Sequence, residues 1–255
     1  MEPILKIDHV SFSYYTDTGE TKVLNDISFS IEPESFTAIV GPSGCGKSTI
    51  LSLIADLQKP TEGFITMYSP DFKRTKIGYM LQQDHLLPWR SVMKNILLGL
   101  EINHCITDQN LQYIDHLLKE YGLIDFVTKK PSELSGGMKQ RIALIRTLAL
   151  KPDILLLDEP FSALDYQTRL SVSTDVYEMI KKEKKTAILV THDIAEAISL
   201  ADKVIVLSSR PSTVKDTIPI TFERSGIHPV NVRNTALFQE YFKKIWEELS
   251  NDRQT

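Results

Sequence analysis

The sequence predicts an α/β fold, a parallel sheet covered by helices and interrupted by a helical lobe. Three observations carry that expectation. The apolar run Phe36-Thr37-Ala38-Ile39-Val40 stops at a glycine-rich segment, and helix-forming residues follow. A second apolar run, Ile154-Leu155-Leu156-Leu157, ends in two adjacent carboxylates, Asp158 and Glu159. Between the two, from about residue 89 to residue 150, the apolar positions change to helical spacing.

Taken in order, the first 80 or so residues read as strands and turns, and Ile4 to Phe12 alternates as a half-buried strand does. After Lys47, the residues Ile50, Leu51, Leu53, Ile54 and Leu57 give a helix one buried face. Val92, Ile96, Leu97 and Leu100 share a helical face, and Leu111, Ile114, Leu117 and Leu118 repeat the spacing. Pro131 and Ser132 break the pattern, and a helix restarts near Ser135. Strands return at residues 154–157, 186–191 and 203–207, with helices between them. The run Lys181-Lys182-Glu183-Lys184-Lys185 closes a helix, where cations meet the negative pole of the dipole, and reads as a solvated end. Residues 235–249 form a last amphipathic helix that clusters Leu237, Phe238, Tyr241, Phe242, Ile245 and Trp246.

Composition bounds the function. A chain of 255 residues that is 42% hydrophobic supports one large domain, or one domain with an inserted lobe. A net charge of −4 argues against a nucleic acid held by bulk electrostatics. No apolar run approaches the roughly 18–20 residues that cross a bilayer, and Met1-Glu2-Pro3-Ile4-Leu5-Lys6 lacks the regions of a secretory signal. Cys45 and Cys105 are too few for a disulfide scaffold and suit a reducing cytosol. Cys45 falls inside the glycine-rich segment, where it reads as a small residue whose thiol is not used. No repeat of 20–50 residues is present.

The glycine-rich segment is Gly41-Pro42-Ser43-Gly44-Cys45-Gly46-Lys47-Ser48, with Thr49 next, and it fits Gly-x-x-x-x-Gly-Lys-Ser. Its glycines let backbone N–H groups converge on the β- and γ-phosphates of a nucleotide, and the following helix adds its positive pole. Lys47 places a point charge on the outer phosphates, and the Ser48 hydroxyl suits Mg²⁺. Alone, this motif specifies only a nucleoside triphosphate. Asp158 and Glu159 stand at the C-terminal edge of a buried strand, where α/β sheets bind ligands. Asp158 would reach Mg²⁺ through water, and Glu159 would hold the attacking water as a general base. Thr191-His192-Asp193 ends a strand expected beside it, which brings His192 within reach of the γ-phosphate and the water. A lone histidine after a strand is more often structural, so its companions carry this assignment.

A further segment has no task within a single nucleotide site. Leu134-Ser135-Gly136-Gly137, followed by Gln140-Arg141, resembles the signature of the ATP-binding-cassette ATPases, and the chain resembles that family from its first strands to about Leu207. More narrowly, Met80-Leu81-Gln82-Gln83-Asp84-His85-Leu86-Leu87-Pro88-Trp89 is similar to importers of nitrate, taurine and aliphatic sulfonates. So are Gly136-Gly137-Met138-Lys139-Gln140-Arg141 and the stretch from Ala195 to Asp202, which importers of thiamine or flavin precursors share.

The resemblance implies a P-loop NTPase: a RecA-like parallel sheet core with an N-terminal antiparallel β subdomain and an inserted α-helical subdomain. Residues 1–88 and 151–221 would form the nucleotide-binding core, 89–150 the helical subdomain and 222–255 a C-terminal helical tail. Ser135, Gly136 and Gly137 would close on the γ-phosphate held by an opposite subunit. Gln82 would sense Mg²⁺ and the water while its loop touches a permease. Ser162-Ala163-Leu164-Asp165 would cross the dimer interface, and Tyr14 would stack on adenine, with Tyr15 as its competitor. Three departures stand out. Gln83 duplicates Gln82, although spacing back from Pro88-Trp89 selects Gln82; Met138 replaces the wider family's glutamine; and Ser212 follows Arg210-Pro211 where glycine is usual.

The implied function is the ATP- and Mg²⁺-dependent ATPase subunit of an importer at the cytoplasmic face of a membrane. Its partners would be a second copy of itself, integral-membrane permease subunits and, indirectly, an extracytoplasmic solute-binding protein, with no nucleic acid. Two other classes compete. A non-transport cassette ATPase acting on DNA or ribosomes usually carries two cassettes or a coiled-coil insertion, and neither is seen here. A small-molecule kinase would leave residues 134–141 without a task.

Overall fold

In the computed structural model, which describes residues 2–17, 19–68, 75–222 and 231–250, the strands form two sheets. Strands β1 (Leu5–Thr16), β2 (Gly19–Ile31) and β4 (Glu62–Met67) make an antiparallel sheet in the order β2-β1-β4. Strand β3 (Phe36–Val40) belongs to the main sheet with β5 (Ile77–Met80), β6 (Ile154–Asp158), β7 (Thr186–Val190), β8 (Lys203–Leu207) and β9 (Val214–Pro219). Its order is β5-β6-β7-β3-β8-β9; every pairing is parallel except the antiparallel edge of β8 with β9.

The apolar runs become buried strands because both faces of this sheet are covered. Alternate residues enter two cores. Phe36, Ala38, Val40, Leu155, Leu157, Ala187 and Leu189 point into one with the helical lobe, while Ile39, Ile154, Leu156, Ile188 and Val190 point into the other with the antiparallel sheet. Between β3 and β4 lies α1 (Lys47–Ile54). Between β5 and β6 lie α2 (Val92–Ile102), α3 (Asp108–Glu120) and α4 (Gly136–Leu148), followed by α5 (Tyr166–Lys182), α6 (Ile194–Leu200) and α7 (Ala236–Ser250).

Side-chain caps start six of these helices. Ser91, Thr107, Ser135, Asp165, Asp193 and Thr235 accept from the backbone N–H of Lys94, Asn110, Met138, Thr168, Glu196 and Phe238. Helix α1 differs, because its N-cap is Gly46, at φ 108°, with no side chain to cap it. Its first N–H groups are directed to whatever sits before the helix.

Some expectations are revised. Strand β1 runs on to Thr16, beyond the predicted Phe12. Helix α1 ends at Ile54, so Leu57 lies past it and is 69% exposed rather than part of the buried face. The lysine run is not simply solvated: Lys181 Nζ donates to Asp202 Oδ2 at 2.7 Å, and Lys182 pairs with Glu120 of α3. The last helix buries Phe238 and Ile245, while Phe242 and Trp246 stack outward from Phe238 in a ladder whose end, Trp246, is exposed. Of residues 222–255, those at 223–230 and 251–255 lie outside the described residues.

Candidate nucleotide site

Parallel register aligns the ends of four strands. Met80 is opposite Leu157, Asp158 opposite Val190, and Val190 opposite Ile39. The loops that leave β5, β6, β7 and β3 therefore emerge together at the C-terminal edge of the sheet. They carry Gln82, Asp158-Glu159, His192 and the segment from Gly41 to Ser48. Backbone hydrogen bonds extend the ladder past the strands: Glu159 N donates to Val190 O at 2.9 Å, and Thr191 N to Ile39 O at 3.2 Å.

The glycine loop owes its shape to two left-handed residues, Gly44 at φ 76° and Gly46 at φ 108°. A Cβ on Gly46 would stand 2.7 Å from Val23 Cγ1 and 2.8 Å from Leu24 Cδ2, so the antiparallel sheet also presses the loop into place. Beneath it, Cys45 is 1% exposed and belongs to the core, in keeping with a thiol that takes no part in the chemistry. Lys47 is 6% exposed, and its ammonium donates to the carbonyls of Gly41 at 2.9 Å and Pro42 at 3.0 Å. Pro42 and Ser43 complete the loop, and Thr49 lies one turn into α1.

Ser48 Oγ donates to Asp158 Oδ1 at 2.9 Å, joining the start of α1 to the end of β6. A hydroxyl and a carboxylate beside a phosphate loop are oxygen donors of the kind Mg²⁺ takes, so Ser48 and Asp158 would hold that ion, which would offset charge on the phosphates. Burial pushes the Asp158 carboxyl up, and the Glu159 charge adds to this, while Ser48, Tyr79 and Lys47 pull it back down. Glu159 Oε2 lies 3.1 Å from His192 Nδ1, so the two expected catalytic side chains are in hydrogen-bond contact across β6 and β7. Glu159 holds φ 45°, unusual for a side-chain-bearing residue, and its carbonyl accepts from Ser162 Oγ at 3.0 Å. Tyr14 packs edge-on against Phe12, and its hydroxyl lies 3.4 Å from Thr49 Oγ1. Tyr15 is 68% exposed and its hydroxyl turns to Glu20.

The structure sets Ser135, Gly136 and Gly137 in the helical lobe, at the N-terminus of α4. The glycines have a local reason that the sequence did not disclose. A Cβ on Gly137 would come within 2.8 Å of Val172 Cγ2 of α5, and one on Gly136 within 2.9 Å of Leu164 Cδ2. The signature segment thus packs against the start of α5 and the loop ending in Asp165. Asp165 caps α5, accepting from Thr168 N at 3.0 Å, and these bonds hold its carboxyl below the usual range.

Four residues escaped the sequence reading. Asn95 is fully buried and pins the loop before α2: its Oδ1 accepts from Leu87 N at 2.7 Å and its Nδ2 donates to the carbonyls of Leu87, Arg90 and Ser91. From α4, Arg146 donates to the carbonyls of Asp84 at 2.7 Å and His85 at 2.8 Å, so the signature helix grips the loop that holds exposed Gln82. Tyr79 donates to Asp158 Oδ2 at 3.3 Å. Glu196 is a buried carboxyl behind the His192 turn. Only Glu196 lay within a quoted motif; the others are polar residues in apolar spacing, a weak signal at best.

A phosphate loop, paired carboxylates and a histidine on one edge of a parallel sheet, with a helical lobe between the second and third strands of that edge, define an ATP-hydrolysing cassette. The chain belongs to the ABC transporter family, whose model matches residues 24–162. Within that family it is an ATP-binding subunit and an ATPase. It is 47% identical to an uncharacterized ABC transporter ATP-binding protein of Bacillus subtilis, over 97% of this chain and 96% of that one. It is 41% identical to an aliphatic sulfonates import ATP-binding protein of Mesorhizobium japonicum, over 81% of this chain and 77% of the relative. A nitrate import ATP-binding protein of Synechocystis is 36% identical over 97% of this chain and 94% of its own length. Among solved structures, a dimeric cassette in a post-hydrolysis state bound to ADP and Pi superposes with a TM-score of 0.71 at 30% identity, covering 86% of this chain and 99% of that one.

Proposed function

We propose that this chain is the motor of an importer for a small solute of the nitrate, sulfonate, taurine or vitamin-precursor kind, and that it works as a homodimer with ATP between the copies. The observation that carries the reading is the hydrogen-bonded set at the sheet edge, Ser48 with Asp158 at 2.9 Å and Glu159 with His192 at 3.1 Å. Nucleotide phosphates would take the place of the Gly41 and Pro42 carbonyls as partners of Lys47. The backbone from Gly41 to Thr49 would wrap them, and Tyr14 would lie under the adenine, a role supported by its contact with Thr49.

Bound Mg²⁺, held by Ser48 and through water by Asp158 and Gln82, would neutralise charge on the outer phosphates. Glu159 would orient the attacking water and accept its proton, with His192 holding the carboxylate in place and facing the γ-phosphate. Ser135, Gly136 and Gly137 of one copy would close over the γ-phosphate of the other, and Asp165 would line the contact. ATP would thus join two chains and hydrolysis would release them, a two-state cycle. The dimeric relative with ADP and Pi supports this arrangement.

Import is supported by the names of the sulfonate and nitrate relatives. No helix among the described residues is long and apolar enough to cross a membrane, so a separate permease would receive the work at the cytoplasmic face. It would dock on the loop clamped by Asn95 and Arg146, and a solute-binding protein would meet that permease from the far side.

Glu159→Gln tests the chemistry, because it keeps the shape and removes the base. ATP binding should persist, hydrolysis should fall at least about 10²-fold, and light scattering should show an ATP-dependent dimer. Hydrolysis at the native rate, or a protein that stays monomeric with ATP, would reject the reading.

A further inference from the structure

We propose that Tyr79 is a positioning residue for magnesium: its hydroxyl orients the Asp158 carboxylate so that the oxygen beside Ser48 faces the metal. The proposal rests on the assignment of Ser48 and Asp158 to Mg²⁺ made above. Asp158 is 9% exposed and stands at the end of β6, so its carboxylate cannot rely on bulk water to fix its rotation. Two hydroxyls hold it from opposite sides. Ser48, from α1, donates to Oδ1 at 2.9 Å, and Tyr79, from the neighbouring strand β5, donates to Oδ2 at 3.3 Å.

Parallel pairing sets this geometry. Tyr79 is opposite Leu156 and Met80 opposite Leu157, so the Tyr79 ring leans along the sheet toward the residue that ends β6. Its aromatic body packs against the core beneath the antiparallel sheet, and the hydroxyl is the only part that a phenylalanine would lack there. Chemically, a carboxylate with one oxygen already satisfied presents the other in a single orientation. Because Asp158 would meet the metal through a bound water, and Mg²⁺ holds its waters in narrowly defined positions, the carboxylate oxygen would have to face one such position to accept from it. Lacking the Tyr79 hydroxyl, Asp158 would rotate between states of which only one is competent. Nucleotide without metal touches neither oxygen and should not sense the change.

The test is the metal dependence of nucleotide affinity in the full chain. Binding of a fluorescent ATP analogue is measured by anisotropy with Mg²⁺ and with EDTA, for the wild type, Tyr79→Phe and Asp158→Asn. For Tyr79→Phe, affinity in EDTA should match the wild type within about twofold, while the gain in affinity on adding Mg²⁺ should shrink about tenfold, as for loss of one hydrogen bond to a charged group. The Mg²⁺ concentration giving half-maximal ATPase should rise by a similar factor. A wild-type response to Mg²⁺ in Tyr79→Phe, or an equal loss of affinity in EDTA and in Mg²⁺, would overturn the proposal and leave Tyr79 as packing. Asp158→Asn separates the two layers. If it also responds to Mg²⁺ as the wild type does, the assignment of Asp158 itself falls. If it loses the response while Tyr79→Phe keeps it, only the role of Tyr79 falls. Thermal unfolding of each variant checks that the comparison is made between folded proteins.

Discussion

Glu196 shows how much one side chain can owe to its surroundings. It is 4% exposed, its Oε1 has no hydrogen-bond partner among the described residues, and burial pushes its carboxyl from 4.5 up to about 7. Asp193 adds to the rise, while Thr191, Arg169 and Arg233 oppose it. The folded protein therefore keeps a proton that the unfolded chain has already lost. Stability from this group is full below about pH 4.5, declines as pH rises to about 7, and is level above that. Glu196→Gln removes the ionisation and keeps the shape. It should be more stable than the wild type at pH 8 by on the order of 3 kcal/mol and no different near pH 4.5. Urea unfolding at the two pH values would decide; an equal effect at both would mean that the carboxyl does not titrate in this way. Glu159, by contrast, reaches its partner His192 at the surface of the cleft, and its exceptional feature is the backbone, held at φ 45° by the ladder bond to Val190.

Helices α4 and α5 meet where the signature segment begins. The contact depends on the absence of a side chain at Gly137, since a Cβ would stand 2.8 Å from Val172 Cγ2 and 3.3 Å from Thr168 Cγ2. Gly137→Ala should separate the two N-termini and destabilise the protein by about 1–3 kcal/mol, the usual range for overpacking. Val172→Ala in the same chain should return most of that loss, which thermal unfolding of the single and double variants would show. Purely additive effects would mean that the two helices do not touch as described. The same helix grips the Gln82 loop through Arg146, so one rigid element carries both the surface expected to meet the partner's nucleotide and the loop expected to meet the permease.

The whole molecule presents that loop outward. Leu86 is buried, Leu87 is half-buried and Trp89 is 71% exposed, so the segment divides between packing and a free surface. Asn95 and Arg146 fix its backbone from below, which would hold the exposed indole in place for the permease contact proposed above. Trp89→Ala should leave the ATPase rate of the isolated protein unchanged and abolish transport in reconstituted vesicles with the cognate permease. Transport at the native rate would place the socket elsewhere. Charge does not compete with this picture, since a net −4 offers little to a nucleic acid.

The sequence by itself determined what depends on short spans of chain. The buried strands, the glycine loop and the Asp158-Glu159 pair were legible because each is written in consecutive residues with one period and one sharp break. His192 was legible only because it follows another such strand. The limits of α1, the antiparallel strand β9 and the ties made by the lysine run were not: residues 214–219 lack the apolar run that marks the other strands of their sheet, and Lys181 and Lys182 reach Asp202 and Glu120 across the fold. Tertiary structure alone decided the rest. It placed β7 between β6 and β3, which brings Glu159 to His192 and both beside the loop. It also set Tyr79 against Asp158, 79 positions apart, and Asn95 and Arg146 under the loop that follows Gln82. The physical reason is that a hydrogen bond between strands is specified by register and order in the sheet, and these follow from burying both faces at once rather than from any local pattern.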